Sequence, residues 1–300
     1  MKLSALALFL VVFTCSVFAQ GVLIGTIDVN GDGVADNIYN SGSSITIVHG
    51  NNGGTRSYFI SSGSWSLVFG NSSSIVDLDG VAGAEIPVNV GGALMVITDK
   101  TQSVHNYNFS GDWAVAPGGI TDMDGVAGAE MAVINGSYLT IITQRTFNVV
   151  SYNIGTNWSI VPTGITDMDG VAGAEIAMAS GSNLVIVTPK TSSMHSYTIG
   201  ANWAVATSGV NGVSDMDGKP GAELAIVSGS NLVIVTPRTQ SIASYTIATN
   251  WSILSNGIQN FNGKAGNDIA LVVGGTGQLR VVHPADGSIN SYSTGSTGTS

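Results

Sequence analysis

Short apolar runs recur along the chain, and small polar residues separate them. In residues 175–208 the runs read EIAMAS, NLVIVT, MHSYTIG and NWAVATS, with Gly, Ser, Asn, Pro and Thr between them. Short runs rich in β-branched and aromatic residues, bounded by turn formers, are typical of β-strands. The 3.6-residue period of an amphipathic helix is absent from these segments. The pattern predicts an all-β chain of short strands joined by tight turns.

The same pattern returns six times at a nearly constant spacing. An acidic segment begins at positions 28, 77, 122, 167, 215 and 260, so successive copies lie 49, 45, 45, 48 and 45 residues apart. Two aromatic markers keep the same phase. They are Tyr58, Tyr107, Tyr152, Tyr197, Tyr245 and Tyr292, and the tryptophans Trp65, Trp113, Trp158, Trp203 and Trp251. Three markers at one period indicate a repeat protein.

Four predicted strands in about 45 residues match one blade of a β-propeller. We therefore predict an all-β fold, a six-bladed β-propeller with four-stranded antiparallel blades, formed by residues 20–300 as a single domain. A seven-bladed ring is the alternative, but the sequence shows no seventh unit.

The two ends of the chain predict how the ring closes. After Tyr292 the chain ends in STGSTGTS, so the sixth unit lacks a following Trp-containing strand. Residues 20–28, QGVLIGTID, precede the first acidic segment at the same distance at which the Trp-containing strand precedes the later acidic segments. We expect residues 20–28 to serve as the fourth strand of the last blade, closing the ring and removing unpaired strand edges.

Residues 1–19 have the features of a secretory signal peptide. Lys2 precedes an apolar stretch, and the small residues Val17 and Ala19 mark a cleavage point after Ala19. An uncleaved membrane anchor and lipidation at Cys15 are the alternatives. The apolar run is shorter than the roughly 20 residues that span a bilayer, and Thr14 stands where a lipoprotein signal usually has Ala or Gly. We expect a secreted, extracellular protein that spans no membrane, and Cys15 is its sole cysteine, so the mature chain has no disulfide.

The charge of the chain is low and locally concentrated. Only 9% of the residues are charged, and 19 acidic against 9 basic residues give a net charge of −10, which argues against nucleic acid as a partner. All but three of the acidic residues, Asp99, Asp112 and Asp286, lie in the six repeated segments. Such concentration points to a local cation.

The spacing of oxygen-bearing residues in these segments suits Ca²⁺. The first segment places Asp28, Asn30, Asp32 and Asp36 at positions 1, 3, 5 and 9 of a glycine-rich turn, and Ca²⁺ takes six to eight oxygen ligands. Segments two to five keep positions 1, 3 and 9. Their candidate ligands are Asp77, Asp79 and Glu85; Asp122, Asp124 and Glu130; Asp167, Asp169 and Glu175; and Asp215, Asp217 and Glu223.

Position 5 is not a ligand in those four segments, where it is Val81, Val126, Val171 or Lys219. The sixth segment, with Asn260, Asn262, Lys264 and Asp268, is the weakest candidate. The alternative to a metal is that each Asp caps its own turn by accepting backbone N–H groups.

The segments resemble FG-GAP/VCBS-type repeats, the calcium-loop propeller blades found in integrin α chains and in many secreted or surface proteins. The pattern D-x-[DN]-x-D-G-x-x-[DE] is complete only at Asp28, Asn30, Asp32 and Asp36. The resemblance covers the mature chain and implies calcium that is structural rather than catalytic.

The tryptophan series allows two interpretations. Trp65, Trp113, Trp158, Trp203 and Trp251 could form sugar-stacking platforms, or each could pack between adjacent blades. We expect the tyrosines to lie in the core or at a blade edge. The four histidines, at 49, 105, 195 and 283, do not occupy matched positions throughout the repeats, which argues against a catalytic histidine.

These observations predict a non-enzymatic, secreted, calcium-binding propeller for extracellular recognition or adhesion, with a glycan or a protein as ligand. Equivalent sites on successive blades favour multivalent binding of a lectin-like kind. Two alternatives remain. One is a secreted polysaccharide lyase or hydrolase on a propeller scaffold, and the other is a passive structural protein of a matrix or surface layer.

Overall fold

The computed structural model describes residues 21–60, 63–206, 212–274 and 277–293. The predicted signal peptide, residues 1–19, lies outside these ranges. The described chain contains 25 β-strands and four short 3₁₀ helices. No helix within these ranges has the length and hydropathy needed to cross a bilayer.

The strands form six antiparallel sheets, which we call blades 1 to 6. Blade 1 contains β1 (Val22–Ile27), β2 (Asp36–Asn40), β3 (Ser44–Val48) and β4 (Thr55–Phe59); blade 2 contains β5 (Ser66–Leu67), β6 (Ile86–Val90), β7 (Ala93–Thr98) and β8 (Ser103–Asn108); blade 3 contains β9 (Trp113–Thr121), β10 (Glu130–Asn135), β11 (Tyr138–Thr143) and β12 (Asn148–Asn153). Blade 4 contains β13 (Trp158–Thr166), β14 (Glu175–Ser180), β15 (Asn183–Thr188) and β16 (Ser193–Thr198); blade 5 contains β17 (Trp203–Val205), β18 (Val213–Ser214), β19 (Glu223–Ser228), β20 (Asn231–Thr236) and β21 (Ser241–Thr246); blade 6 contains β22 (Trp251–Gln259), β23 (Asp268–Val273), β24 (Gln278–His283) and β25 (Ser288–Ser293).

Each blade is a simple meander in which sequential strands are neighbours. In blade 4, for example, the order is β13-β14-β15-β16. In blade 5 the first strand is in two pieces, β17 and β18, which both pair with β19. The prediction of an all-β fold built from six four-stranded antiparallel blades, the architecture of a β-propeller, is confirmed.

The predicted closure of the ring by residues 20–28 is wrong. β1 pairs with β2 inside blade 1, with Ile27 opposite Asp36, and blade 6 takes its own first strand, β22, which begins at Trp251. The reason is that each acidic segment connects two strands that pair with each other. A structural blade therefore begins at the Trp-containing strand, one strand earlier than the sequence unit.

Consecutive blades pack face to face through apolar side chains. Five buried clusters join blade 1 to 2, 2 to 3, 3 to 4, 4 to 5 and 5 to 6. In the interior blades the second and third strands are buried on both faces, whereas in blade 1 burial alternates along β2 and β3. Every side chain of β25 in blade 6 is exposed. The first and last blades therefore each leave one face uncovered within the described residues.

Candidate metal site at the acidic loops

All six acidic segments lie at the same end of the blades. Each forms the loop from the first to the second strand of its blade, and the turn from the third to the fourth strand lies beside it. We number these loops 1 to 6 with their blades. The opposite end carries the hairpins between the second and third strands, together with the tryptophans.

Loops 2 to 5 bring their three predicted acidic ligands together. In each of these loops one carboxylate oxygen of every member lies within 4.8 Å of the others. The four clusters are Asp77, Asp79 and Glu85; Asp122, Asp124 and Glu130; Asp167, Asp169 and Glu175; and Asp215, Asp217 and Glu223. The positions 1, 3 and 9 singled out in the sequence thus converge on one point per loop.

Backbone N–H groups hold one oxygen of each carboxylate in place. In loop 4, Asp167 Oδ1 accepts from Gly170 N at 2.7 Å and Asp169 Oδ1 accepts from Val171 N at 2.8 Å. Glu175 Oε2 accepts from Met168 N at 2.7 Å. The turn-capping alternative is therefore present in the structure, and it engages one oxygen of each carboxylate.

The position-9 glutamates are buried and electrostatically disfavoured as anions. Glu85, Glu130, Glu175 and Glu223 are at most 2% exposed. Burial, together with repulsion from the two aspartates of the same loop, raises the pKa of each of these carboxyls to about 7. Glu130 Oε1 and Glu223 Oε1 are buried without a hydrogen-bond partner among the described residues. A cation in the cluster would neutralise the repulsion between the carboxylates and would give the unpartnered oxygen a partner.

Basic side chains from the neighbouring turn reach into these loops. Arg145 donates to Asp124 Oδ2 at 2.7 Å and Arg238 to Asp217 Oδ2 at 2.6 Å. Lys100 and Lys190 instead donate to the carbonyl oxygens of Ala82 and Ala172. Loops 3 and 5 therefore carry an internal counter-ion on the position-3 carboxylate, whereas in loops 2 and 4 the lysine binds backbone.

Lys219, at position 5 of loop 5, does not occupy the centre of the cluster. Its ammonium lies 3.9 Å from Asp217 Oδ2, and its side chain is 62% exposed. Lys219 therefore does not take the position of a metal ion, and the groups around that position are the three carboxylates and Arg238.

Loop 1 has the full sequence pattern but a different arrangement. Asp28 accepts N–H groups from Gly31 and Gly33 at 2.7 Å each, and Asp32 accepts from Val34 N and from the Asn51 side chain. Its acidic residues, Asp28, Asp32 and Asp36, are not among the described groups whose ligand atoms converge within 4.8 Å. Asn30 donates its side-chain N–H toward His49 Nδ1 at 3.1 Å.

The position-9 carboxylates of loops 1 and 6 have a histidine partner that the sequence reasoning missed. His49 Nδ1 lies 3.5 Å from Asp36 Oδ1, and His283 Nδ1 lies 2.6 Å from Asp268 Oδ1. Both histidines lie at the end of the third strand of their blade, so they are matched in the first and last blades only. The signal was available, because the two repeats with Asp rather than Glu at position 9 are the two with His at that place.

Neighbouring loops are joined in a ladder. The N–H of position 8 in one loop donates to the carbonyl oxygen of position 1 in the preceding loop. The five bonds run from Ala84 to Asp28, Ala129 to Asp77, Ala174 to Asp122, Ala222 to Asp167 and Asn267 to Asp215, at 2.9 to 3.1 Å. Each position-1 aspartate thus serves its own loop and the contact with the next blade.

The tryptophans lie at the opposite end and connect adjacent blades. Each is half-buried, contacts an interblade cluster and donates its indole N–H to the hairpin carbonyl of a glycine in the preceding blade. The acceptors for Trp65, Trp113, Trp158, Trp203 and Trp251 are Gly42, Gly91, Gly136, Gly181 and Gly229, at 2.6 to 3.2 Å. This position agrees with the packing interpretation, and it places the indoles far along the strands from the acidic loops.

The tyrosines face the next blade. Tyr58, Tyr107, Tyr152 and Tyr197 are 4–8% exposed, whereas Tyr292 is 50% exposed. Tyr58 donates to Asp99 Oδ1 at 2.6 Å and Tyr107 to Gln144 Oε1 at 2.7 Å, in each case across the interface to the following blade. Burial of the series therefore depends on the presence of a following blade.

Comparisons with known proteins assign the chain to no family. No protein-family model matches the chain, and no curated protein matches it. Among solved structures it is similar to BBS1N in complex with ARL6DN, with 8% identity, 92% of this chain and 82% of that chain covered, and a TM-score of 0.36.

It is also similar to the WD40 domain of SCAP from fission yeast, with 10% identity, coverage of 93% and 68%, and a TM-score of 0.32. A third is the Cps50 (Swd1) β-propeller domain of Myceliophteria thermophila, with 12% identity, coverage of 92% and 88%, and a TM-score of 0.35. At these identities and scores the likenesses carry no argument about function, and the site has to be interpreted from its own geometry.

Proposed function

We propose that loops 2 to 5 bind Ca²⁺ as a structural ion in a secreted, non-enzymatic FG-GAP/VCBS-type protein. One observation carries this proposal: three carboxylates converge in each loop while the deepest of them, the position-9 glutamate, is buried among like charges. A buried carboxylate in such surroundings either takes up a proton or pairs with a cation. Hard oxygen donors in a flexible loop favour Ca²⁺ over Mg²⁺, which demands stricter geometry.

The chain's own residues define how the ion would act. Asp167, Asp169 and Glu175 would supply carboxylate oxygens in loop 4, and their backbone hydrogen bonds pre-orient them. The ion would neutralise their mutual repulsion and, through the N–H ladder, stabilise the contact with the adjacent blade. In loops 3 and 5 an arginine already pairs with the position-3 carboxylate, so we expect weaker binding there than in loops 2 and 4.

We infer that the protein acts in extracellular recognition or adhesion, with a glycan or protein as ligand. The support is the repetition of equivalent, low-charge surfaces from blade to blade, which suits multivalent and individually weak contacts. A glycan and matrix-protein array, probed with and without EDTA, would test this. Absence of binding in both conditions would overturn the recognition function and leave the calcium proposal untouched.

Calcium binding is tested by thermal unfolding and metal counting on the purified protein. A ligand that binds only the folded state stabilises it by about 2.7 kcal/mol at a concentration 100 times its Kd, so Ca²⁺ should raise Tm and EDTA should lower it. Glu175→Gln should reduce the bound calcium by one ion per chain.

Asp112→Asn is the matched control, because Asp112 is an exposed acidic residue outside the loops. It should leave the calcium count unchanged. No bound calcium after dialysis at millimolar Ca²⁺, or a Tm that Ca²⁺ and EDTA leave unchanged, would contradict the proposal.

A further inference from the structure

The last blade presents an apolar face with nothing packed on it among the described residues. We define the outer face of blade 6 by the side chains that line its open groove, of about 440 Å³: Leu254, Phe261, Ala270, Leu279, Val281 and Tyr292. Ser255, Asn256, Gly257 and Gln259 complete the lining. Phe261 is 44% and Tyr292 50% exposed. Exposed aromatic residues grouped in one patch mark an interaction site on a soluble protein.

The same face is buried in blades 3 to 5. Position 2 of the acidic loop is Met123, Met168 or Met216 in these blades, each 0% exposed, and Phe261 in blade 6. The first leucine of the third strand is also 0% exposed in blades 3 to 5, whereas Leu279 is half-buried. The outer face of blade 6 is therefore a further copy of a surface that elsewhere packs against another sheet.

The free face of blade 1 differs from it because its centre is polar, whereas its exposed apolar residues, Leu23 at 52% and Phe59 at 69%, lie on the two edge strands. Its centre carries hydroxyl and amide groups that bond to each other, Thr26 to Asn37 at 2.9 Å and Thr46 to Ser57 at 3.0 Å. Asn37 stands where blades 2 to 6 have the buried residues Ile86, Met131, Ile176, Leu224 and Ile269. Blade 1 thus resembles the polar capping repeat of a solenoid protein, which ends a stack instead of continuing it.

The acidic loops are a second reason why blade 1 does not match the outer face of blade 6. In loops 2 to 6 position 7 is a glycine that contacts the preceding loop so closely that a Cβ would meet its backbone, at 2.6 Å from Gly80 N in the case of Gly128. In loop 1 this position is Val34. Loop 1 therefore cannot stack on loop 6 as the other loops stack on their predecessors. A Cβ on Gly263, at position 4 of loop 6, would meet no atom within 4 Å.

We propose that the outer face of blade 6 is a self-association surface through which two copies of the chain pack sixth blade against sixth blade about a twofold axis. An isologous contact places an apolar face on an identical apolar face and leaves the free face of blade 1, with its polar centre, in water. Like the contacts between blades of one chain, it packs one sheet on another, but it pairs two copies of the same face.

The size of the surface predicts a weak dimer. Four strands of about six residues give a footprint of roughly 400 Å² per copy, from strand spacing and rise. The two copies together bury on the order of 800 Å², which is below the roughly 1,000 Å² of a stable specific interface and fits a weak, transient contact. The dimer should therefore form in the micromolar range and dissociate on dilution.

Sedimentation velocity over a concentration series tests the proposal. The purified protein should shift from the monomer to twice the monomer mass as its concentration rises. The double variant Phe261→Ser, Tyr292→Ser should weaken dimerisation at least tenfold, and circular dichroism should show an unchanged fold because both side chains are exposed. Phe59→Ser is the matched control, since Phe59 is 69% exposed on the outermost strand of blade 1, beside Ser44.

Two results would overturn the proposal. One is a protein that stays monomeric at all concentrations, which would mean that the outer face of blade 6 is covered in another way. The other is association that grows beyond the dimer and is weakened equally by Phe59→Ser, which would indicate a head-to-tail contact between blade 6 and blade 1. Neither result depends on calcium, so the calcium proposal is tested separately.

Discussion

Position 9 of the acidic loops is a glutamate in loops 2 to 5 and an aspartate, shorter by one methylene group, in loops 1 and 6. In loops 2 to 5 a glutamate reaches the centre of the carboxylate cluster. In loops 1 and 6 the shorter aspartate stays back, and a histidine at the end of the third strand fills the space beside it, as His283 does for Asp268. The terminal loops thus place a histidine beside the position-9 carboxylate, whereas in the central loops one glutamate oxygen accepts a backbone N–H and the other is open to a cation or a proton.

Thr163 carries a backbone strain that the equivalent residues of other repeats avoid. The fifth residue after the Trp has a positive φ in blades 2, 3, 4 and 6, where it is Gly70 at 70°, Gly118 at 70°, Thr163 at 56° and Asn256 at 55°. A β-branched residue is disfavoured in this region, and asparagine tolerates it. We expect Thr163→Asn to stabilise the protein by about 1 kcal/mol in urea unfolding.

Thr198→Asn is the control for this substitution. Thr198 is an exposed residue at the end of β16 without a positive φ, and asparagine is disfavoured in strands. It should be neutral or slightly destabilising. A loss of stability in Thr163→Asn equal to that of the control would show that the backbone at residue 163 is not strained.

At the scale of the element, the acidic loops are held by their neighbours as much as by their own residues. The glycine at position 4 has a positive φ in all six loops, and in loops 1 to 5 it also faces the backbone of position 6 in the next loop. A Cβ on Gly125 would lie 2.1 Å from the Ala172 carbonyl oxygen, whereas a Cβ on Gly263 would meet nothing within 4 Å. The two glycines have φ values of 74° and 73°.

This pair separates the cost of backbone conformation from the cost of loop stacking. Gly263→Ala should destabilise the protein by about 1–2 kcal/mol, the cost of a left-handed residue with a Cβ. Gly125→Ala should cost about 3–4 kcal/mol, because it also displaces the adjacent loop. Chemical unfolding measures both, and equal losses would show that the stacking of loops contributes nothing.

At the scale of the molecule, the four buried glutamates couple stability to pH. Their pKa values are raised to about 7, above the unfolded value of about 4.3. Between the unfolded and the folded pKa, the folded state holds more protons than the unfolded state. The free energy of unfolding therefore falls as pH rises through this range. In EDTA, we expect Tm to decrease from pH 5 to pH 7.5 by roughly 10–20 °C.

Calcium should reverse this trend. Because Ca²⁺ binds the ionised carboxylates, its affinity increases as the glutamates lose their protons, and Tm in millimolar Ca²⁺ should rise over the same pH range. Glu175→Gln, which removes one of the four titrating groups, should make the slope in EDTA shallower by about a quarter. A Tm in EDTA that is independent of pH would contradict the raised pKa values.

Much of the fold could be predicted from periodicity, and the main error has a simple physical origin. The spacing of the Tyr, Trp and acidic markers predicted six units of four strands, and the structure has them. The same spacing cannot tell whether a strand pairs with the strand before or after its loop, because a periodic pattern has no starting point. The Trp-containing strand was therefore assigned to the wrong blade, and with it residues 20–28.

The sequence predicted only part of the candidate site, because its spacing specifies contacts within one loop and not contacts with distant residues. The spacing of Asp167, Asp169 and Glu175 was enough to place three carboxylates in one turn, since residues so close in sequence must be close in space. It could not show that Arg145 and Arg238 reach the loops, because they are about 20 residues away and arrive through the pairing of the third and fourth strands. Nor could it show that the acids of loop 1, which has the most complete pattern, are partnered by the loop's own backbone together with Asn51 and His49.

The sequence by itself determined the strand content, the repeat number and the local chemistry of the acidic loops, because all three depend on residues within one period. The tertiary structure alone decided which strands pair, how deeply the position-9 glutamates are buried, and that the outer face of blade 6 is apolar and uncovered among the described residues. Those properties arise from contacts between blades, and the sequence pattern of a single repeat does not specify how that repeat contacts another.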